Sequence, residues 1–151
     1  MKCLFIFIAL LLSSFDSMAQ SLSPELDHYS IIVKDVKVSG EFYKNILQLK
    51  EVPTPWGDNT PLPAIFFDIG NNRQLHITEY NSEIKLHKFI HFAFTVEDFD
   101  GFLELLNEKG IEYGDFSGKK KTFQTRIDEV RQIYFQDPDG YWIEVNDKKH
   151  R

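Results

Sequence analysis

Three histidines and one glutamate occupy matching places in the two halves of this 151-residue chain. The segments 26–35 and 89–98 align residue for residue, so that His28 corresponds to His91. Later in each half, His76 and Glu144 fall in the segments that close the two halves. Imidazole nitrogen and carboxylate oxygen are common ligands of Zn²⁺ and of several other divalent ions. The four side chains are therefore candidate metal ligands.

Strand periodicity places these side chains on equivalent faces. Successive side chains of a β-strand point to opposite sides of the sheet. Each of the four segments then has one strongly apolar face and one mixed face, and the mixed face carries the candidate ligand. A lone histidine on a strand is more often a core or surface residue. A matching set that includes a buried carboxylate is different, because Glu144 needs a compensating partner. The pattern predicts one bound divalent metal ion.

The elements that must position these residues are repeated as well. Each half shows a β-rich run, a helical pattern that starts after Asp35 or Asp98, and three further short strands. Gly110 is placed to end the second helix. The later strands are predicted at 50–52, 64–69 and 74–80 in the first half, and at 111–113, 130–136 and 141–146 in the second. The sequence thus predicts an α+β fold of two βαβββ modules, residues 26–80 and 88–147, in one globular unit.

Composition and the first residues limit the class of protein. Apolar residues make up 42% of the chain, and the net charge of −6 comes from interspersed residues of both signs, which excludes a broad cationic face for nucleic acid. Residues 1–19 resemble a secretory signal peptide that is cleaved between Ala19 and Gln20. We therefore expect a single secreted or periplasmic domain, residues 20–151, without stable membrane insertion after processing. A short membrane anchor is the alternative.

Several motifs carry a resemblance to a known family. They are Leu26-Asp27-His28, Phe42-Tyr43, Ile90-His91-Phe92-Ala93 and Phe135-Gln136-Asp137-Pro138-Asp139-Gly140-Tyr141-Trp142-Ile143-Glu144. With these motifs the chain resembles the vicinal oxygen chelate superfamily, which includes glyoxalases, extradiol dioxygenases, fosfomycin-resistance proteins and bleomycin-binding proteins. The resemblance implies that the modules pair into one cup-shaped, partly closed mixed sheet with the helices outside. It also implies the same four metal ligands, although lactoylglutathione lyases usually have a glutamate at the position of His76.

The predicted site suits Lewis-acid chemistry. Three imidazoles and one carboxylate can bind Zn²⁺, Ni²⁺, Mn²⁺ or Fe²⁺, and the sequence does not choose among them. Open positions on the ion would accept two neighbouring oxygens of a small substrate, with Glu144 as the candidate catalytic base. The candidate substrate-binding residues are the other polar or aromatic groups of the mixed faces and two arginines near the second long loop: Ser30, Gln74, Thr78, Thr95, Trp142, Asn146, Arg126 and Arg131. For the two arginines, solvation or salt bridging is the alternative.

Three functions are compatible with this site. The favoured hypothesis is a metal-dependent, glyoxalase-like lyase or isomerase, with a dioxygenase as the second choice. The alternative is a non-enzymatic protein that sequesters a drug-like molecule, as bleomycin-binding relatives do, although those relatives generally lack the metal ligands. A closed, tetrahedral structural metal site is the third. Because proteins with paired modules of this type often dimerise, the resemblance also raises the expectation of a homodimer.

Overall fold

The computed structural model of the protein describes residues 24–57, 59 and 61–149. The predicted signal peptide and its cleavage point lie outside these residues. The first module consists of β1 (His28–Val33), α1 (Val36–Asn45), β2 (Lys50–Val52), β3 (Ala64–Asp68) and β4 (Gln74–Glu79). The second consists of β5 (His91–Thr95), α2 (Phe99–Glu108), β6 (Tyr113–Gly114), β7 (Gln124–Thr125), β8 (Arg131–Gln136) and β9 (Trp142–Asn146). Both modules follow the predicted order, and β7 is a short additional strand in the second.

Each module forms its own mixed sheet. The first has the strand order β1-β4-β3-β2, and the second has the order β5-β9-β8-β6 with β7 paired to β8. The first and last main strands of each module, β1 with β4 and β5 with β9, are parallel neighbours. This pairing brings the two candidate ligands of each module onto one face of one sheet. The prediction of an α+β fold of two βαβββ modules is confirmed, and the described strands form two sheets that are not closed into a barrel.

The helices begin where the aspartates predict. The carboxylates of Asp35 and Asp98 accept hydrogen bonds from backbone N–H groups of the first turns of α1 and α2. At α1, Oε2 of Glu79 also accepts the N–H of Val36 at 3.1 Å, so a second carboxylate lies at the positive end of this helix. Gly110 follows α2 with a φ of +66°, as its predicted role in ending the helix requires. In the part of the chain that the structure describes, no helix has the length and apolar character needed to cross a membrane.

The apolar faces of the two sheets meet in one core. Buried apolar residues of both sheets and both helices form a single cluster. Between the modules, the ring centre of Phe42 on α1 lies 6.3 Å from that of Phe135 on β8, and Tyr29 on β1 is equally close to Phe92 on β5. These contacts are made on the apolar side of the strands. The mixed faces are therefore the outer faces of the two sheets, turned away from this shared core.

The turn between β8 and β9 forms hydrogen bonds with the first module. Asp137 is only 5% exposed, and its Oδ2 accepts the hydroxyl of Tyr43 on α1 at 2.7 Å. Asp139 accepts the N–H of Lys34 at 2.8 Å and the hydroxyl of Ser39 at 2.6 Å. Burial raises the pKa of the Asp137 carboxyl. These hydrogen bonds fix the relative orientation of the modules within one chain.

Candidate metal centre

The outer face of the second sheet holds a buried carboxylate. Glu144 on β9 is 7% exposed. The hydroxyl of Tyr134 on β8 donates to its Oε2 at 2.6 Å, and the side-chain amide of Asn146 donates to its Oε1 at 2.8 Å. Nε2 of His91, at the start of β5, lies 3.3 Å from Oε2. We call His91 and Glu144 the second half-site.

Hydrogen bonding determines which nitrogen of His91 faces the carboxylate. Nδ1 lies 2.7 Å from the carbonyl oxygen of Lys88, which can only accept, so Nδ1 carries the proton. In the neutral ring, Nε2 then presents its lone pair to Glu144, and the two acceptors repel each other unless a proton or a metal cation lies between them. Two ligands that each lie about 2.1 Å from one ion are about 3.0–3.4 Å apart. The observed distance of 3.3 Å therefore fits a shared divalent ion.

The outer face of the first sheet holds the other two candidate ligands. The rings of His28 on β1 and His76 on β4 are stacked, with their centres 4.3 Å apart. Nδ1 of His28 lies 2.6 Å from Oδ2 of Asp27, so Nδ1–H donates to the carboxylate and Nε2 keeps its lone pair. Metal-binding histidines are commonly oriented by a carboxylate in this way. We call His28 and His76 the first half-site.

His76 is more constrained than His28. Its ring lies 3.5 Å, centre to centre, from that of Phe66 and is nearly parallel to it. Its Nε2 lies 2.8 Å from Oε1 of Gln74. Burial, assisted by the neighbouring His28, lowers the pKa of His76. In two stacked rings the nitrogen lone pairs lie in nearly parallel planes and do not meet at one point. Two imidazoles that bind one ion must instead direct their lone pairs at the same point. In this structure His76 packs against His28 instead of converging with it on one point.

The two half-sites do not meet within a single chain. Among the described residues, no group of three or more His, Cys, Asp or Glu side chains could hold a metal ion. The cause is the packing of the modules, because their apolar faces share one core and each half-site lies on an outer face. The four predicted ligands are thus present as two separate pairs.

Comparison with known proteins agrees with this architecture. Residues 25–145 match the model of the Glyoxalase/Bleomycin resistance protein/Dioxygenase superfamily. The chain belongs to this superfamily. It is 30% identical to the metallothiol transferase FosB of Shouchella clausii over 128 residues, which cover 80% of this chain and 78% of FosB. The recognition of the vicinal oxygen chelate superfamily from sequence motifs is confirmed.

Solved structures of the superfamily share the fold. The fosfomycin resistance protein FosX of Listeria monocytogenes is 25% identical, with a TM-score of 0.67 over 85% of this chain and 96% of that chain. The oxidase ChaP-H2 is 26% identical, with a TM-score of 0.69 over 85% of this chain and 97% of that chain. The same βαβββ pair thus occurs in relatives with different names and activities.

Several predicted substrate-binding residues of this superfamily member lie near the half-sites. Ser30 and Thr78 line a cavity beside His76 on the outer face of the first sheet. Gln74 bonds to the same histidine, as described above. On the outer face of the second sheet, Asn146 bonds to the carboxylate of the half-site, and Trp142 lines a separate cavity next to β8.

The remaining predicted substrate-binding residues are the two arginines and Thr95. The guanidinium of Arg131 donates to Asp147 at 2.7 Å and to Asp100 at 2.8 Å, and Arg126 is paired with its own neighbouring aspartate. Both arginines are thus salt-bridged, which is the alternative that the sequence left open. Thr95 lines a cavity with Arg131 at the opposite end of β5 from His91. Arg126 lies close enough to Tyr134, the hydrogen-bond partner of Glu144, for its positive charge to act on the tyrosine hydroxyl. The guanidinium of Arg131 is instead held by its two aspartates.

Tyr134, a hydrogen-bond partner of the second half-site, is a residue that the sequence-based prediction missed. A signal for it existed, because alternation along β8 separates Tyr134 from the buried Ile133 and Phe135 and puts it on the face of Glu144. Burial and the hydrogen bond to Glu144 raise the pKa of Tyr134 well above its usual range. Its hydroxyl therefore remains a donor to the carboxylate at physiological pH.

Lys88 was also missed, and the sequence offers no periodic signal for it. It lies in the connector between the modules, and its Nζ is enclosed by the rings of Trp142, Tyr134 and Phe116 at 4.5–5.7 Å from their centres. Nζ also donates to the carbonyl oxygen of Phe116 at 3.1 Å. Because the carbonyl of Lys88 holds His91, this enclosure supports the second half-site.

Proposed function

We propose that the protein is a metal-dependent enzyme that acts on a small molecule with neighbouring oxygens, and that its metal site is completed by two copies of the chain. The observation that carries this proposal is the approach of Nε2 of His91 to Oε2 of Glu144 while Nδ1 of the same ring donates to Lys88. A nitrogen lone pair and a carboxylate oxygen at this spacing suit Zn²⁺, Ni²⁺, Mn²⁺ or Fe²⁺.

A second copy would supply the missing donor. His91 and Glu144 of one chain are two ligands, whereas catalytic zinc sites commonly have three from the protein. Nε2 of His28 has no hydrogen-bond partner among the described residues and lies on an outer face. A two-fold axis that places the first outer face of one chain against the second outer face of the other would form two metal sites in each dimer. His76 remains the predicted fourth ligand. When bound, the ion would supply Lewis-acid polarisation of the substrate oxygens.

The side chains around Glu144 favour a role in moving a proton. Tyr134 donates to Oε2 and Asn146 donates to Oε1, so the carboxylate is held in one orientation. A carboxylate in this position can accept a proton from a substrate atom next to the chelated oxygens. Glu144 is therefore our candidate base, and Trp142, two residues earlier on the same face of β9, remains a candidate substrate contact.

This arrangement favours a lyase, isomerase or group-transfer reaction over dioxygenation. Proton transfer beside a polarised oxygen needs only a Lewis acid and a base, whereas oxygenation also needs a redox-active ion. The name of the relative FosB, a metallothiol transferase, supports the first class. The name of the neighbour ChaP-H2, an oxidase, keeps the second as the competing activity.

We also propose that the enzyme acts outside the cytoplasm, since residues 1–19 have the pattern of a cleaved signal peptide. Mass spectrometry of the protein recovered from the periplasm or medium tests this, with Gln20 as the expected first residue. A mature protein that retains residues 1–19 would contradict the export proposal and leave the metal site unaffected.

Metal analysis of the purified protein tests the enzyme proposal. We expect about one ion per chain and a dimeric mass by light scattering. His28→Ala, His91→Ala and Glu144→Ala should each lose most of the metal. His87→Ala is the matched control, because His87 is an exposed histidine of the connector that stacks on Phe89, and it should retain the metal. A folded parent that binds none of the four ions would refute the proposal.

A further inference from the structure

A cavity lies beside His76 on the outer face of the first sheet. Its volume is about 180 Å³, and it is bordered by β1, β3, β4 and the segment that joins β2 to β3. Its apolar lining residues are Trp56, Pro61, Leu62, Ala64 and Phe66. Ser30, His76 and Thr78 are its polar lining residues, and no Asp, Glu, Lys or Arg lines it within the described chain. We call it the aromatic cavity.

Aromatic rings form part of the wall of the aromatic cavity. The ring of Trp56 meets that of Phe66 edge-on, with centres 6.0 Å apart, and Phe66 stacks on His76. Trp56 is 51% exposed and Leu62 is 47% exposed. Single exposed apolar residues are ordinary, but large ones that converge on one cavity mark a binding surface. The aromatic cavity therefore has the composition of a ligand subsite.

The volume of the aromatic cavity is enough for a small ring. An apolar cavity of about 150 Å³ is known to bind benzene. The aromatic cavity, at about 180 Å³, thus has room for one six-membered ring and a small substituent. Five of its eight described lining residues are apolar or aromatic and the other three are Ser30, His76 and Thr78, a lining that suits an uncharged ring.

We propose that the aromatic cavity binds a single uncharged aromatic ring of the substrate. The inference rests on the proposed function for one point, that the neighbouring oxygens of the same molecule reach the metal. His28 stacks on His76, which lines the aromatic cavity, so a ring bound there lies beside the first half-site. The substrate class is then a one-ring aromatic compound with two neighbouring oxygens.

Ring binding can be measured with simple probes. Benzyl alcohol, propan-1-ol and 2-naphthalenemethanol are titrated into ¹⁵N-labelled protein, and the shifts of the Trp56 indole N–H and of the amides of Phe66 and Thr78 are followed. We expect saturable shifts with benzyl alcohol, weaker binding of the two-ring alcohol and no saturable shift with propan-1-ol. Equal or tighter binding of the two-ring alcohol, or no shift at these three residues with benzyl alcohol, would overturn the proposal.

Two variants and one control locate the binding. Trp56→Ala removes a wall and should weaken benzyl alcohol binding about tenfold or more. Ala64→Leu fills the aromatic cavity and should weaken it similarly while the ring walls are retained. Ile127→Ala changes a fully exposed apolar residue in another loop and should bind the probe as the parent does. Unchanged affinity in folded Trp56→Ala and Ala64→Leu would overturn the proposal.

The ring test is separable from the metal test. Titrations are repeated on protein treated with a chelator, and ring binding is expected to persist because the apolar and aromatic walls hold the ring without a bound ion. Metal binding without ring binding would refute only the inference made here. Ring binding in a protein that binds no metal would uphold the aromatic cavity and refute the proposed function.

Discussion

Nζ of Lys88 lies over the ring of Trp142, 4.5 Å from its centre. The backbone carbonyl of the same lysine accepts Nδ1–H of His91. The side chain of Lys88 is thus anchored in an aromatic enclosure while its backbone sets the tautomer of a candidate metal ligand. This connection explains how a connector residue can influence the second half-site.

Removing the ammonium of Lys88 should weaken metal binding. Lys88→Met keeps much of the apolar stem and loses the cation–ring contacts and the hydrogen bond to the loop at Phe116. Because mutation of a residue that orients a metal ligand commonly lowers metal affinity 10–100-fold, we expect about a tenfold loss of metal affinity. Competition with a chelating dye measures it. Lys85→Met is the matched control, because Lys85 is an exposed connector lysine paired with Glu83. Equal affinities of the two variants would contradict the role of Lys88.

His28 should matter more than His76 for metal affinity. Within the part of the chain that the structure describes, Nε2 of His28 has no hydrogen-bond partner, whereas Nε2 of His76 bonds to Gln74 and its ring is stacked on Phe66. We expect His28→Gln to lose more metal affinity than His76→Gln in the same dye competition. A loss in His76→Gln as large as that in His28→Gln would show that His76 turns to coordinate the ion as a full ligand.

The hydroxyl of Tyr134 should stabilise the folded protein. Tyr134→Phe preserves the ring and leaves Oε2 of the buried Glu144 without its closest donor, 2.6 Å away. A hydrogen bond to a charged group contributes about 1.5–3 kcal/mol, so the free energy of unfolding should fall by about this amount. Urea unfolding measures the change. Tyr80→Phe, at an exposed tyrosine, is the control and should be nearly neutral. A neutral Tyr134→Phe would mean that water replaces the hydroxyl.

The raised pKa of Asp137 predicts a pH dependence of stability. Burial raises this pKa in the folded state above the value of about 3.9 expected for the unfolded chain. The contribution of Asp137 is therefore complete below about pH 3.9 and is lost as the pH rises through the folded-state pKa. Asp137→Asn does not titrate, so the stability of the parent relative to this variant should decrease from about pH 4 upward.

Urea unfolding of both proteins at a series of pH values from about 4 to 7 tests this expectation. Asp128→Asn, at the exposed ion pair with Arg126, is the matched surface control. A difference between the parent and Asp137→Asn that is constant over this range would contradict the assignment to Asp137.

Local rules explain how much of this structure could be predicted. Alternation along strands depends only on the local backbone, and it correctly put His91 and Glu144 on one face. The same rule applied to β8 would have added Tyr134. The capping positions of Asp35 and Asp98 are equally local, and both are confirmed.

The relation between the half-sites could not be predicted in this way. It depends on which faces of the modules pack together. The packing is determined by contacts between residues distant in sequence, such as Phe42 and Phe135. A repeat of two modules is compatible with mixed faces that converge or diverge. For the same reason, the contact of Lys88 with Trp142 has no sequence period that reveals it.

The placement of the half-sites on outer faces has a genetic consequence. In the proposed pair, each metal site takes one half-site from each chain, so a chain damaged in one half-site still carries an intact other half. A mixed pair of His28→Ala and Glu144→Ala chains has one site with every ligand present and one site that lacks both residues. Random pairing of equal amounts would leave roughly a quarter of all sites intact, although each variant alone has none. Two inactive alleles of this gene should therefore complement each other when they are expressed together.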